Sequence, residues 1–213
     1  MLELLIPSLL ETLYMVFFST IFSLTIGFPL GILLVITEKN GIWKKPLLNQ
    51  VLNVIINILR SFPFIILMIL VFPLSKLIVG STIGTTATIV PLSIAAAPFV
   101  ARVIETALKE VDGGIIEASL SMGATVPQIV FKVLIPEAMP SLIMGVTLTI
   151  INLIGYSAMA GAIGGGGLGD LAIRYGLYRF ETNIMITSVI IIIILVQGIQ
   201  ILGNKLAISI DKK

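Results

Sequence analysis

The 213-residue chain contains no cysteine and no histidine. Those two absences exclude disulfides, thiol chemistry, haem ligation and the common zinc sites together. Charge is almost as scarce: charged residues make up 11% of the chain, against roughly 25% in an average soluble domain. Such a chain cannot cover a globule with polar surface, so its solvent is lipid. No Gly-x4-Gly-Lys-Ser/Thr phosphate loop occurs, which excludes a P-loop ATPase. The net charge of +2 is too small to argue for nucleic acid.

What is present is hydrocarbon: 57% of residues are hydrophobic, and the mean hydropathy is +1.15. The length and composition predict one all-α domain over residues 1–213, a transmembrane bundle of about five spans of ~20 residues each. The expected spans are Leu13–Thr37, Val51–Val79, Ile83–Ala107, Pro140–Ile163 and Ile184–Ile208. The second is interrupted by Arg60, Pro63 and Pro73, the third by Pro91 and Pro98; such breaks fit a bundle that moves or encloses a cavity. Isoleucine runs such as the one in ITSVIIIIILV are poor helix formers in water, but in lipid every backbone polar group must be paired internally, which forces the helix. The N-terminus, MLELLIPSLLE, carries acids rather than a basic region, so the first apolar segment is expected to remain as an anchor rather than be cleaved.

Lysine and arginine set the orientation. Lys39, Lys44 and Lys45 follow the first span, Arg102, Lys109 and Lys132 flank or occupy the loop between the third and fourth, and Lys205, Lys212 and Lys213 end the chain. With five spans these lie on one side. Only Lys76, Arg174 and Arg179 lie on the other, with Arg60 inside the second span. The bias predicts an outer N-terminus and a cytoplasmic C-terminus; an even span count would put the terminal lysines on the opposite side.

One long polar interruption stands out, within a loop of about residues 112–137. Glu117–Pro136 reads EASLSMGATVPQIVFKVLIP. Asp112-Gly113-Gly114 ends the third span. Ile115, Ile116, Ala118, Leu120 and Met122 make a mixed apolar stripe over one or two turns. Gly123 permits a bend that a side chain would resist. Thr125-Val126-Pro127-Gln128 is a helix-start signal, with a capping threonine, a first-turn proline and a glutamine able to reach back. Pro136 and Pro140 are expected to break the helix before the fourth span. The loop is therefore helix, glycine bend, helix: a stiff knob. It can dock a partner through Glu117, or lie on lipid headgroups as an amphipathic hairpin.

A second landmark runs from Gly155 to Asp170. Gly164, Gly166 and Gly169 match a dinucleotide fingerprint, but that motif needs a βαβ unit. Gly167-Leu168-Gly169-Asp170 spells the GxGD of intramembrane aspartyl proteases, which need a second carboxyl group; Asp112 and Asp211 fall on the opposite side. The physical reading is close helix packing at Gly27-x-x-x-Gly31 and Gly161-x-x-x-Gly165, with a flexible glycine segment suited to a gate. Tyr156, Ser157 and Met159 are candidates to line a path, or serve ordinary helix packing. Arg60 is the ionised group deepest in an apolar run. Such a group faces a protein interior or aqueous cavity, clamps two halves, or snorkels to an interface. Asn53 and Asn57 share its helical face.

The loop residues Glu117, Ala118, Ser119, Gly123, Val133, Ile135 and Pro136 resemble the cytoplasmic EAA loop of bacterial ABC-importer permeases. Ser119 replaces a second alanine, and Val133 and Ile135 replace isoleucine and leucine. Together with Arg60–Leu67, Ile78–Gly84 and Gly155–Gly169, nearly the whole chain is similar to the methionine importer permease family. The resemblance implies a homodimer forming one pathway, with each loop gripped by an ATPase subunit that binds ATP and Mg, so the chain itself carries no cofactor and is no enzyme. It also implies a substrate-binding protein delivering methionine, or related D-forms and derivatives, for alternating-access import across the plasma membrane. The alternatives are a permease for another small amino acid and an ion-coupled secondary transporter. The latter class shows internal repeats and midplane acids, whereas the acids here lie near span ends, Glu105 being the nearest to an exception.

Overall fold

The computed structural model describes residues 2–211. Its regular elements, among the described residues, are all helical. Helix α1 (Leu2–Ile36) is followed by α2 (Pro46–Ser61), α3 (Phe64–Val79) and α4 (Thr85–Lys109). The loop contributes α5 (Gly113–Ser121), α6 (Val126–Ile129), a π-helical turn (Val130–Leu134) and α7 (Ile135–Glu137). Helix α8 (Met139–Gly161), α9 (Gly167–Leu171), a second π segment (Ala172–Leu177) and α10 (Thr182–Ile210) complete the chain.

Four helices, α1, α4, α8 and α10, are each long and apolar enough to cross a membrane; α2 and α3 reach that length only as a bent pair, a broken span or a re-entrant loop. The bend is 106°. Its cause is local: Phe62 takes an extended conformation (φ −73°, ψ 129°) before Pro63, as the ring of a following proline demands. Pro73, Pro91 and Pro98, expected to interrupt their spans, instead lie inside unbroken helices. Of these prolines, only Pro63 breaks the chain's direction.

The first helix starts eleven residues before the expected span. At ~1.5 Å per residue it is about 52 Å long, well beyond the ~30 Å hydrocarbon thickness. Its extra turns are held by tertiary contacts: Leu5 is buried with Leu168, Leu171 and Ile184. The second span likewise starts five residues early, at Pro46 rather than Val51; the remaining boundaries are off by two residues or fewer.

Helix α4 is the buried axis of the bundle, and α10 is its most lipid-exposed member. Against α4 lies α1, seated by the expected glycine pair. A Cβ on Gly27 would stand 2.6 Å from the Ala97 carbonyl oxygen, and one on Gly31 would stand 2.6 Å from Ile104 Cβ. The second pair behaves differently. Helix α8 ends at Gly161, so Gly165 sits in the turn beyond it. The close approach there is between α8 and α9: a Cβ on Gly161 would meet the Asp170 backbone, and one on Gly169 the Ala158 backbone.

The bundle has two distinct ends. At one, Ile36 of α1, Leu108 of α4, the loop residues Ile129, Val130 and Leu134, and Leu142 of α8 form one buried cluster. The other end is built around glycines 161–169.

Candidate coupling surface and path

Loop helix α5 begins at Asp112, whose carboxylate accepts the Gly114 N–H at 2.6 Å. It ends in a complete Schellman motif. The Gly123 N–H donates to the Leu120 carbonyl at 2.9 Å and the Ala124 N–H to the Ser119 carbonyl at 3.1 Å. This closure requires a left-handed residue, and Gly123 supplies it at φ +80°. Helix α6 then starts at Thr125, whose N–H and hydroxyl both donate to Gln128 Oε1, at 2.8 and 2.9 Å.

Beyond Gln128 the chain dives into the core: Ile129 is completely buried and Leu134 nearly so. The Ile135 N–H reaches back five residues to the Val130 carbonyl. This wide turn directly precedes Pro136, which lies within α7 rather than breaking the helix. The helical run is interrupted only at Ala138 (φ −83°, ψ 0°), and Pro140 sits in the first turn of α8.

Of the expected docking residues, Glu117, Ala118, Gly123 and Pro136 are exposed, Val133 and Ile135 are half-buried, and Ser119 is buried with its hydroxyl on the Ile115 carbonyl. The buried half nails the loop to α1, α4 and α8; the exposed half adds large apolar side chains, with Met122 81% and Phe131 67% exposed. Glu117 makes no hydrogen bond or ion pair among the described residues. A stiff knob with an anchored root and an unpaired apolar-plus-acidic tip can transmit displacement to the helices.

Behind the knob runs a polar relay. Lys109 Nζ contacts Glu38 Oε1 at 2.6 Å and Glu105 Oε1 at 2.8 Å. Glu105 Oε2 takes the Arg102 guanidinium at 2.6 Å, which also donates to Asn57 Oδ1 at 2.8 Å. The relay joins the turn after α1, the last turns of α4 and the C-terminal part of α2. Glu105 is buried, and two cations offset that cost. The signal was present in the sequence as Arg102, Glu105 and Lys109 at i, i+3 and i+7 on one helix face; the partners Glu38 and Asn57 were not signalled.

The expected path residues divide. Arg60, in the last turn of α2, and Tyr156 of α8 line one small cavity, where Tyr156 stacks on Phe64 at 4.6 Å between ring centroids. Ser157 is buried elsewhere and donates to the Ile154 carbonyl at 2.8 Å. Met159 is half-exposed near the end of α8. Asn53 bonds Asn49, and Asn57 takes Arg102, so neither reaches Arg60.

At the glycine end the backbone amides are engaged rather than free. The Gly167 N–H donates to Glu11 Oε2 at 2.7 Å and the Leu168 N–H to Thr12 Oγ1 at 2.9 Å. The Gly84 N–H donates to the Gly164 carbonyl at 3.0 Å, tying the start of α4 to the same turn.

A bundle of apolar helices with a rigid, anchored knob at one end and cavities among its helices defines a multi-pass membrane permease. The sequence places it further: residues 27–204 match the family of binding-protein-dependent transport system inner membrane components, and the chain belongs to that family. It is 47% identical to the methionine import system permease protein MetP of Bacillus subtilis, over 95% of this chain and 91% of that protein. It is 50% identical to the D-methionine transport system permease protein MetI of Escherichia coli K12, over 76% of this chain and 74% of that one. The fold superimposes on a chain of the MetNI methionine ABC transporter, solved in an inward-facing conformation, with a TM-score of 0.98 at 45% identity. That match covers 100% of this chain and 98% of that one.

Proposed function

We propose that the chain is the conduit subunit of an ATP-driven methionine importer, acting as a pair of identical copies that open alternately to either side. Each copy presents the Glu117–Pro136 knob to an ATPase subunit, which holds the ATP and Mg. A binding protein delivers methionine, its D-form or a close derivative to the outer face. The observation that carries this reading is the division of the loop between a buried root at Ile129, Val130 and Leu134 and an unpartnered tip at Glu117, Ala118 and Met122. A membrane-lying hairpin does not need that rigid attachment to three helices; a lever does. The methionine transport named for both relatives supports the substrate. Arg60, Tyr156, Ser157 and Met159 belong to the path or its gate in this reading.

The N-terminus faces outward and the C-terminus inward, which the lysine distribution supports. Because the chain has no cysteine, single cysteines introduced at exposed positions report their side directly. A cysteine at Met122 reacts with an impermeant maleimide only in opened cells if the orientation is right. The function is tested by purifying the tagged chain with its native membrane partners and measuring uptake of labelled methionine into proteoliposomes. Recovery of an ATPase subunit and uptake that needs ATP is the expected result. Uptake without ATP, or no associated ATPase, overturns the importer reading.

A further inference from the structure

Two cavities meet at one residue pair. The larger, about 670 Å³, opens among α2, α4, α8 and α10 and carries Arg102, Glu110, Ser141 and Asn204 on its walls. The smaller, about 170 Å³, is lined by Phe62, Phe64 and Tyr156 among others. Arg60 and Phe99 line both. The larger falls within the ~300–1,000 Å³ of ordinary ligand sites, and the smaller accepts a single side chain.

The cations at this junction are not equivalent. Arg102 is occupied by Glu105 and Asn57. Arg60 has no hydrogen bond and no ion pair among the described residues. Arg60 is exposed at the end of α2, so its guanidinium is open to an incoming anion. Its planar donor fork matches a carboxylate in two parallel hydrogen bonds. Beside it, the stacked rings of Phe64 and Tyr156 offer the surface that a polarisable thioether or another apolar side chain favours. The bend that Pro63 imposes brings the charge and the rings together, because it ends α2 at Ser61, just past Arg60, and starts α3 at Phe64.

We propose that this junction is an intramembrane binding site for a free amino acid with an apolar side chain. Arg60 holds the carboxylate, and the cleft of Phe62, Phe64, Phe99 and Tyr156 takes the side chain. The ammonium group remains in the larger cavity, which carries Glu110 on its wall. The proposal rests on the reading that the chain conducts an amino acid. It adds that the permease itself, and not the delivering protein alone, selects the substrate.

The test uses the purified complex with its ATPase subunits and without any binding protein. Equilibrium dialysis measures labelled methionine, with methioninamide as a competitor that lacks the carboxylate. Methioninamide should compete at least about tenfold more weakly than methionine, as expected for loss of a charge-assisted contact. Arg60→Gln should weaken methionine by about the same factor and abolish the difference between the two competitors. Arg60→Lys should recover part of it, and Phe99→Trp should weaken binding by filling the cleft while leaving the carboxylate preference intact. Retention of the ATPase subunits shows that each variant is assembled. Equal competition by the two compounds in the unaltered complex, or unchanged binding in Arg60→Gln, overturns the site. Loss of co-purified phosphatidylglycerol in Arg60→Gln with methionine binding unaltered overturns it in favour of an anionic lipid. If an amino acid other than methionine binds in the Arg60-dependent manner, the site stands and the methionine reading fails.

Discussion

Glu11 Oε2 accepts the Gly167 amide at 2.7 Å, joining residues 156 apart in the chain. The neighbouring Thr12 hydroxyl accepts the Leu168 amide in the same way. Together they cap the first turn of α9 from a different helix, and so fix the glycine turn against α1. Removing the carboxylate leaves a backbone donor unpaired, at a cost of about 1–3 kcal/mol. Glu11→Ala should therefore lower the thermal midpoint of the purified protein, and Glu11→Gln, which keeps an acceptor oxygen, should lower it less. Equal midpoints for Glu11→Ala and the unaltered chain would show that this contact does not hold the turn.

The α1–α4 seam predicts a sharp contrast between two glycines. At Gly27 an added Cβ would sit 2.6 Å from a backbone oxygen of α4. Overpacking of this kind costs about 1–3 kcal/mol or more. At Gly155 an added Cβ meets nothing within 4 Å, and alanine is the better helix former by roughly 0.5–1 kcal/mol. Gly27→Ala should destabilise the fold and Gly155→Ala should leave it unchanged or firmer. Thermal unfolding in one detergent compares them.

Within the relay, the two contacts of Lys109 should differ in strength. The Lys109–Glu38 pair has both side chains about two-fifths exposed, a setting worth about 0–1 kcal/mol. Glu105 is 10% exposed, and a buried charge-assisted bond is worth about 1.5–3 kcal/mol. Double-mutant cycles with Glu38→Gln, Glu105→Gln and Lys109→Met should give the larger coupling energy for Glu105. A larger value for Glu38 would contradict the burial argument.

Gly123 should be sensitive to backbone conformation rather than to space. Its φ is +80° and nothing lies near its absent Cβ. Alanine there should cost about 1–2 kcal/mol locally, and asparagine less, because its side chain tolerates the left-handed region. Gly123→Leu should insert normally and recover less ATPase subunit on purification. Full recovery and normal ATP-driven uptake would remove the bend from the coupling role.

Met159→Trp tests the proposed path at the end of α8. Its side chain is half-exposed, so the bulkier ring can be accepted without repacking the core. Uptake should fall severely while ATPase assembly persists; undiminished uptake would exclude Met159 from the lining.

Much of this molecule was legible from periodicity and composition. The scarcity of charge dictates helices in lipid. Asp112, Gly123 and Thr125 encode the caps and bend of the loop, because caps are local: their donors and acceptors lie within a few residues. Gly27 and Gly31 announced a close seam because their four-residue spacing puts two small residues on one helix face. The prolines misled, since a missing N–H breaks a helix only where the flanking residues also leave the helical region, as Phe62 does before Pro63 and the residues around Pro91 do not.

Distance along the chain marks where sequence reading stopped. The sequence alone determined that the protein is a helical membrane bundle and that one loop is a capped knob; each follows from what a residue does to its own segment in a solvent without water. Tertiary structure alone decided that Ile129, Val130 and Leu134 root the knob in three helices, that Glu11 holds the glycine turn, and that Arg60 remains unpaired beside an aromatic cleft while Arg102 does not. Those are pairings between segments far apart in sequence, chosen by packing and by the need to satisfy polar groups in a medium that offers no other partners.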